Sequence, residues 1–301
     1  MILAARATTS PSGRTLGRAW LALAVLLAAG CKAPIERTVV YDERYGESTS
    51  MDLYLPDAAE PRPGVMLVHG GAWKYNHKEM YRSVGRRLAR AGYVAASVEY
   101  RLVPEGVFPK AAQDVGCALA YLQNHADELG LDPTRLVAMG YSAGGHLVSL
   151  VATANDDPGI APDCVEGTPD KPTGVVSGAG PQDMAALADF RPVVDFMGGT
   201  LAEEPEAYAL ASPVTHVGPD DPPFLFVHGS HDALVPHGQS TRMRDLLRAE
   251  GVEADLLYLR GSGHVLNAAD DSSELAVSLL TDSPEAWIAI SDFLERTVGR
   301  P

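Results

Sequence analysis

Positive charge is scarce in this chain: 24 lysines and arginines stand against 39 aspartates and glutamates, for a formal net charge of -15. Phosphate backbones are bound by clustered Lys and Arg, so this balance argues against nucleic acid as a partner, and none is expected. Cysteine is scarcer still. The three present, Cys31, Cys117 and Cys164, have no spacing that suggests a metal site. The nine histidines form no H-E-x-x-H pattern or other zinc-ligand spacing. No metal and no cofactor are expected. There is no repeat of fixed period, and no low-complexity tract beyond the N-terminal segment. The apolar run at residues 19–29 is too short to span a bilayer comfortably, where about 20 residues are needed.

What is present describes an ordinary globular protein. Hydrophobic residues make up 46% and charged residues 21%, enough for a sizeable core, and 301 residues allow one large domain or two small ones. Thr38–Tyr41 and Met51–Leu55 alternate as strands do, with Gly46 in the turn between them. Gly64–His69 and Tyr93–Val98 are continuous apolar runs of the kind found in buried parallel strands. Leu136–Met139, Gly174–Ser177, Phe224–Val227 and Ala254–Tyr258 read as further strands. Helices are expected at Tyr81–Ala91, from Pro109 to about His125, from Ser142 onward, from about Gln239 to Glu250, and at Pro284–Thr297. Strands alternating with helices imply an α/β fold, a mostly parallel sheet covered on both faces. Residues 153–172 and 180–212 are less regular and are expected above the sheet as loops or a small cap.

The N-terminus is set apart. Arg6, Arg14 and Arg18 precede the apolar run, and no acidic residue occurs before Glu36. This is the order of a signal peptide. The run ends in Ala28-Ala29-Gly30-Cys31, which resembles the lipobox of bacterial lipoproteins, although Ala28 stands where a leucine is usual. The resemblance implies a leader at 1–30, lipid on Cys31, a bilayer as partner, and a place in the bacterial cell envelope, at the periplasm or cell surface. A soluble secreted form and a retained anchor are the alternatives. Without its three arginines the chain is more acidic, at -18. The remaining domain is 31–301. In an exported protein Cys117 and Cys164 can form a disulfide, or they can be two separate buried thiols.

Four local patterns carry chemistry. Gly140-Tyr141-Ser142-Ala143-Gly144 falls between a predicted strand and a predicted helix. That context holds a serine hydroxyl out of the sheet at a sharp turn, and the helix N-terminus favours a developing oxyanion. A serine hydroxyl needs a neighbouring base to attack at neutral pH. His69-Gly70-Gly71-Ala72-Trp73 follows another strand, and its adjacent glycines leave backbone N–H groups unshielded. The N–H groups of Gly71, Ala72 and Ala143 are assigned to an oxyanion hole, and His69 to bracing the loop. Asp232 follows the strand Phe224–Val227 and His264 the strand Ala254–Tyr258, giving the chain order Ser, Asp, His. His231 and His237 compete as bases but precede the last strand. Trp73 and Tyr141 flank the nucleophile and line the acyl or alcohol pocket, or else simply pack. Asp114 is read as a structural contact, and Cys117 as no nucleophile.

With these patterns the chain resembles the esterase and lipase branch of the α/β-hydrolases, which includes hormone-sensitive-lipase-like enzymes and the group with an HGGAW loop. Tyr100–Glu105, Phe108–Asp114, Asp132–Leu136, Ser142–His146, Ala211–Val217 and Pro222–Leu225 all share in the likeness, which covers about residues 50–270. Ala72 and Trp73 depart from the three-glycine loop of the lipase-like enzymes. They are closer to feruloyl-esterase-like, isoprenylcysteine-methylesterase-like and kynurenine-formamidase-like members. The resemblance implies an α/β-hydrolase fold and a serine carboxylesterase acting on short-acyl esters, small or carbohydrate-linked, through an acyl-enzyme on Ser142 with His264 as base and Asp232 as acid. An arylformamidase-like amidase, a serine peptidase of the prolyl-oligopeptidase type and a non-catalytic surface lipoprotein are the rival readings.

Overall fold

Aliphatic and β-branched runs form the strands of the computed structural model, which describes residues 34–264 and 283–301. The expected leader and Cys31 lie outside the described residues. In chain order the strands are β1 (Ile35–Val40), β2 (Ser50–Leu55), β3 (Arg62–Val68), β4 (Val94–Val98), β5 (Leu131–Tyr141), β6 (Gly174–Gly178), β7 (Phe224–Gly229) and β8 (Ala254–Leu259). They form one sheet in the order β1-β2-β4-β3-β5-β6-β7-β8. The pairings of β2 with β1 and β4 are antiparallel, and every other pairing is parallel. The fold is that of the α/β-hydrolases.

The helices are α1 (Arg82–Arg90), α2 (Lys110–Asn124), α3 (Ala126–Leu129), α4 (Ala143–Ala154), α5 (Arg191–Met197), α6 (Pro205–Leu210), α7 (Gly238–Ala249) and α8 (Pro284–Val298). Successive strand residues face opposite sides of a sheet, so one run feeds two cores. Met66 and Val68 of β3 join a cluster with Val115 and Leu119 of α2, Leu147 and Val148 of α4, and Met243 of α7. Val65 and Leu67 join the other, with Val84 and Leu88 of α1 and Ile290 and Phe293 of α8. Both faces of the central strands are therefore dry, which is why β3 and β4 read as unbroken apolar runs rather than as alternation. Among the described residues no helix is long and apolar enough to cross a membrane.

The stretch 180–212, expected to be irregular, contains α5 and α6. Each begins with a proline in its first turn. At 7 and 6 residues they are too short to show a periodic pattern. Asp114 is the structural contact expected of it: its carboxylate accepts the Arg101 backbone N–H at 2.9 Å and grips the Arg101 guanidinium at 2.6–3.0 Å.

Of the two open readings for Cys117 and Cys164, the disulfide is the one found. It ties the loop before β6 to α2, where the Asn124 amide also donates to the Glu166 carboxylate at 2.8 Å. The bond closes a loop with a sequence separation of 47. Loop-closure entropy makes such a link worth about 3–5 kcal/mol. Reduction is therefore expected to lower the urea midpoint clearly, and Cys164→Ser to reproduce the shift without reductant.

Candidate active site

Ser142 sits at the turn between β5 and α4 with φ 54° and ψ -119°. A non-glycine residue at positive φ is strained and must be held there by its surroundings. Its N–H donates to the Gly178 carbonyl at 2.7 Å, pinning the turn to β6. The turn passes so close to β3 that a Cβ on Gly144 would lie 2.0 Å from the Val68 carbonyl oxygen. The two glycines of the motif are thus demanded by backbone contact, since a Cβ on Gly140 would likewise lie 2.4 Å from Gly144.

The loops after β7 and β8 bring the other two residues to Ser142. His231 N–H donates to the Ser262 carbonyl at 2.9 Å, and Gly261 N–H donates to Ser230 Oγ at 2.9 Å. Asp232 and His264 thereby meet. His264 Nδ1 lies 2.7 Å from Asp232 Oδ2, and His264 Nε2 lies 2.9 Å from Ser142 Oγ. Asp232 Oδ1 accepts the backbone N–H groups of Leu234 at 3.0 Å and Val235 at 2.9 Å. Burial of Asp232 opposes ionisation, but hydrogen bonds from His228 and His264 and the Val235 amide outweigh it and hold the carboxyl well below the usual carboxylate range. An ionised Asp232 can only accept, so His264 donates from Nδ1 and presents a bare Nε2 to the Ser142 hydroxyl.

Above Ser142 lies a cavity of about 720 Å³. Its wall includes Gly71, Ala72, Tyr75, Asn76, Pro181, Phe190, Leu234 and Val235, with Ser142 and His264 among them. No side chain in that lining is formally charged apart from His264 when protonated. A second cavity, of about 520 Å³, lies beside Glu99 and Arg101; it is walled largely by charged side chains and contains none of the three residues. Among the described residues no group of His, Cys, Asp or Glu is placed to hold a metal ion.

The loop expected to supply oxyanion donors borders the cavity. Gly71 has φ 119°, and a Cβ there would lie 2.1 Å from the Tyr75 carbonyl oxygen, so only glycine fits. The Gly71 carbonyl accepts the N–H groups of Lys74 at 3.0 Å and Tyr75 at 2.9 Å, which folds the loop back on itself. Ala143 is the first residue of α4, where the backbone N–H has no partner within the helix. His69 braces the loop as expected. Its ring stacks on Tyr100 at 4.4 Å, its Nδ1 lies 2.8 Å from the Gly70 carbonyl oxygen, and the Tyr100 hydroxyl donates to the His69 carbonyl.

The two residues expected at the pocket separate. Trp73 borders the cavity yet is only 2% exposed. Its ring stacks on Phe196 of α5 at 4.5 Å, so most of its surface packs. For Tyr141 the packing alternative is the one found. It lies in the core beneath the His264 loop, not in the cavity lining, and its hydroxyl donates to the His264 carbonyl. The cause is the alternation of β5: Tyr141 follows Val137 and Met139 to the opposite face of the sheet from Ala138.

His146 is a supporting residue to which the motif alone gave no role. Trp73 Nε1–H donates to its Nδ1 at 3.2 Å, and its Nε2 donates to the Ala211 carbonyl at 2.8 Å. One neutral imidazole thus links the His69–Trp73 loop, α4 and the segment before β7. Complete burial lowers its pKa from 6.5 to about 4. The unfolded chain takes up this proton near pH 6.5 and the folded chain only near 4. Stability is therefore lost as pH falls through that window, by up to about 3 kcal/mol from this group. Urea unfolding at pH 7, 5 and 4 is expected to show a slope that His146→Gln flattens.

Comparison with known proteins agrees with this fold. The BD-FAE family matches residues 51–247. The esterase LipC of Mycobacterium tuberculosis is 32% identical over 220 residues, 70% of this chain and 55% of LipC. A probable isoprenylcysteine alpha-carbonyl methylesterase of Arabidopsis thaliana is 25% identical over 244 residues, 76% of this chain and 51% of that protein. The chain therefore spans about half the length of the curated relatives it matches. A truncated form of a carbohydrate esterase from gut microbiota superposes with a TM-score of 0.75 at 27% identity, covering 90% of this chain and 98% of that one. The chain belongs to the BD-FAE family and has the α/β-hydrolase fold.

Proposed function

We propose that this protein is a serine carboxylesterase that cleaves short-acyl esters through an acyl-enzyme on Ser142. The observation that carries the reading is the unbroken path Asp232–His264–Ser142 at the floor of a largely apolar cavity bordered by Gly71 and Ala72. His264 Nε2 takes the Ser142 proton as Oγ attacks the ester carbonyl. The N–H groups of Gly71, Ala72 and Ala143 receive the oxyanion, where one donor is typically worth about 2.7–4 kcal/mol to the transition state. The alcohol leaves with the proton from His264. Water then attacks the acyl-enzyme, and the same residues return Ser142 to its hydroxyl form.

The likeness to a carbohydrate esterase supports a carbohydrate-linked ester as one substrate class, and the uncharged lining supports neutral esters. Hydrolysis of p-nitrophenyl esters from acetate to laurate tests the reading. Short esters are expected to be cleaved fastest, and no cleavage at any length by folded protein would count against it.

The same reading places the protein in the cell envelope, exported and lipidated on Cys31. The disulfide supports this, since such bonds persist in oxidising compartments. Labelled palmitate is expected to enter the protein in a bacterial host and to be lost in Cys31→Ser.

A further inference from the structure

Asp232 is approached by two imidazoles. His228, in β7, is 1% exposed. Its Nε2 lies 2.9 Å from the Val235 carbonyl oxygen and 3.2 Å from Asp232 Oδ2. Its Nδ1 lies 2.8 Å from the hydroxyl of Ser240, a buried residue of α7. A carbonyl only accepts, so His228 Nε2 carries the proton and donates it to Val235, with Asp232 Oδ2 close beside the same N–H. Ser240 then donates to a bare Nδ1. Both ring nitrogens are engaged, and the ring cannot turn without losing a buried hydrogen bond.

A carboxylate offers about four acceptor sites. Asp232 Oδ1 takes the amides of Leu234 and Val235, and Oδ2 takes His264 Nδ1 with His228 Nε2 as a close polar neighbour at 3.2 Å. Val235 gives its N–H to Asp232 and its carbonyl to His228, closing a ring of three residues. A carboxylate held by three donors and walled by the His228 ring has little freedom to swivel. Without that ring, Oδ2 can tilt away from His264 or take up water.

We propose that His228 is a positioning residue for acyl transfer: acting through Asp232 Oδ2, it holds the carboxylate in the orientation that receives His264 Nδ1–H. His228 does not border the substrate cavity, so its effect falls on the chemical step and not on ground-state binding. The inference rests on the reading of Ser142, Asp232 and His264 as the reacting residues.

The test compares wild type, His228→Leu, His228→Gln and Ser240→Ala as full chains on p-nitrophenyl acetate. His228→Leu removes the donor, and kcat is expected to fall about 10- to 100-fold, the range in which partners behind a functional ligand act. KM is expected to stay within about twofold, because uniform binding is untouched. His228→Gln places an amide N–H near the Nε2 position and is expected to recover most of kcat. Ser240→Ala releases the ring at Nδ1 and is expected to lower kcat by less; it decides the matter if His228→Leu does not fold. Active wild type with undiminished kcat in folded His228→Leu, or in Ser240→Ala where the leucine variant is unfolded, would overturn the inference alone. A leucine variant whose loss lies in KM, or is not recovered by glutamine, would also overturn it. Wild type inactive on every ester would overturn the reading of the site and the inference with it.

Discussion

Ser142→Ala is expected to remove ester hydrolysis almost entirely, with kcat down on the order of 10⁶-fold, the loss seen when a serine nucleophile of this kind is deleted. The substitution takes away the atom 2.9 Å from His264 Nε2 and leaves the rest of the turn in place. Alanine has no easier access to φ 54° than serine, so the strain of the turn is unchanged. The urea midpoint is therefore expected to stay near that of wild type. Residual hydrolysis from the oxyanion donors and binding alone leaves a small background, which sets the floor of the assay. Measurement of kcat with acetate and butyrate esters, with unfolding on the same preparations, separates a chemical loss from a folding loss.

Asp232→Asn is expected to lower kcat by about 10⁴-fold. The surroundings of Asp232 determine how an asparagine would sit. The amides of Leu234 and Val235 donate to Oδ1 and would demand the carboxamide oxygen there. The NH₂ would then face His264 Nδ1 and donate to it. That forces the His264 proton onto Nε2, where it points at Ser142 Oγ, and the base is lost. The same NH₂ would meet the Nε2–H of His228, donor against donor. An isosteric change thus removes the base without removing the imidazole. Asp232→Ala, which leaves His264 free to choose its tautomer, is expected to retain more activity than Asp232→Asn.

Much of this was legible in the sequence because it depends on local signals. Continuous apolar runs mark β3 and β4 because both faces of those strands are covered. The glycines around Ser142 mark the turn because a Cβ at Gly144 would strike the backbone of β3. Asp232 and His264 stand out in the sequence because each follows a strand end, and the folded chain brings them together. What could not be read depends on contacts made through space. α5 is held by the stacking of Phe196 on Trp73, not by a helical pattern of its own. His146 matters because it receives Trp73 on one nitrogen and reaches Ala211 with the other, partners 73 and 65 residues away in the chain. His228 reads as one residue of an apolar strand, and only the folded loop brings Val235 and Asp232 onto its ring. Tyr141 misleads in the opposite way. Its place beside Ser142 in the chain suggests a pocket wall, whereas strand alternation buries it under the His264 loop.

Activation of Ser142 as the nucleophile is tested most directly by a fluorophosphonate probe. Incubation with the folded protein, followed by peptide mapping, is expected to find one adduct, on Ser142, in wild type and none in Ser142→Ala. Folded wild-type protein that takes up no probe, or takes it up on another residue, would contradict the account.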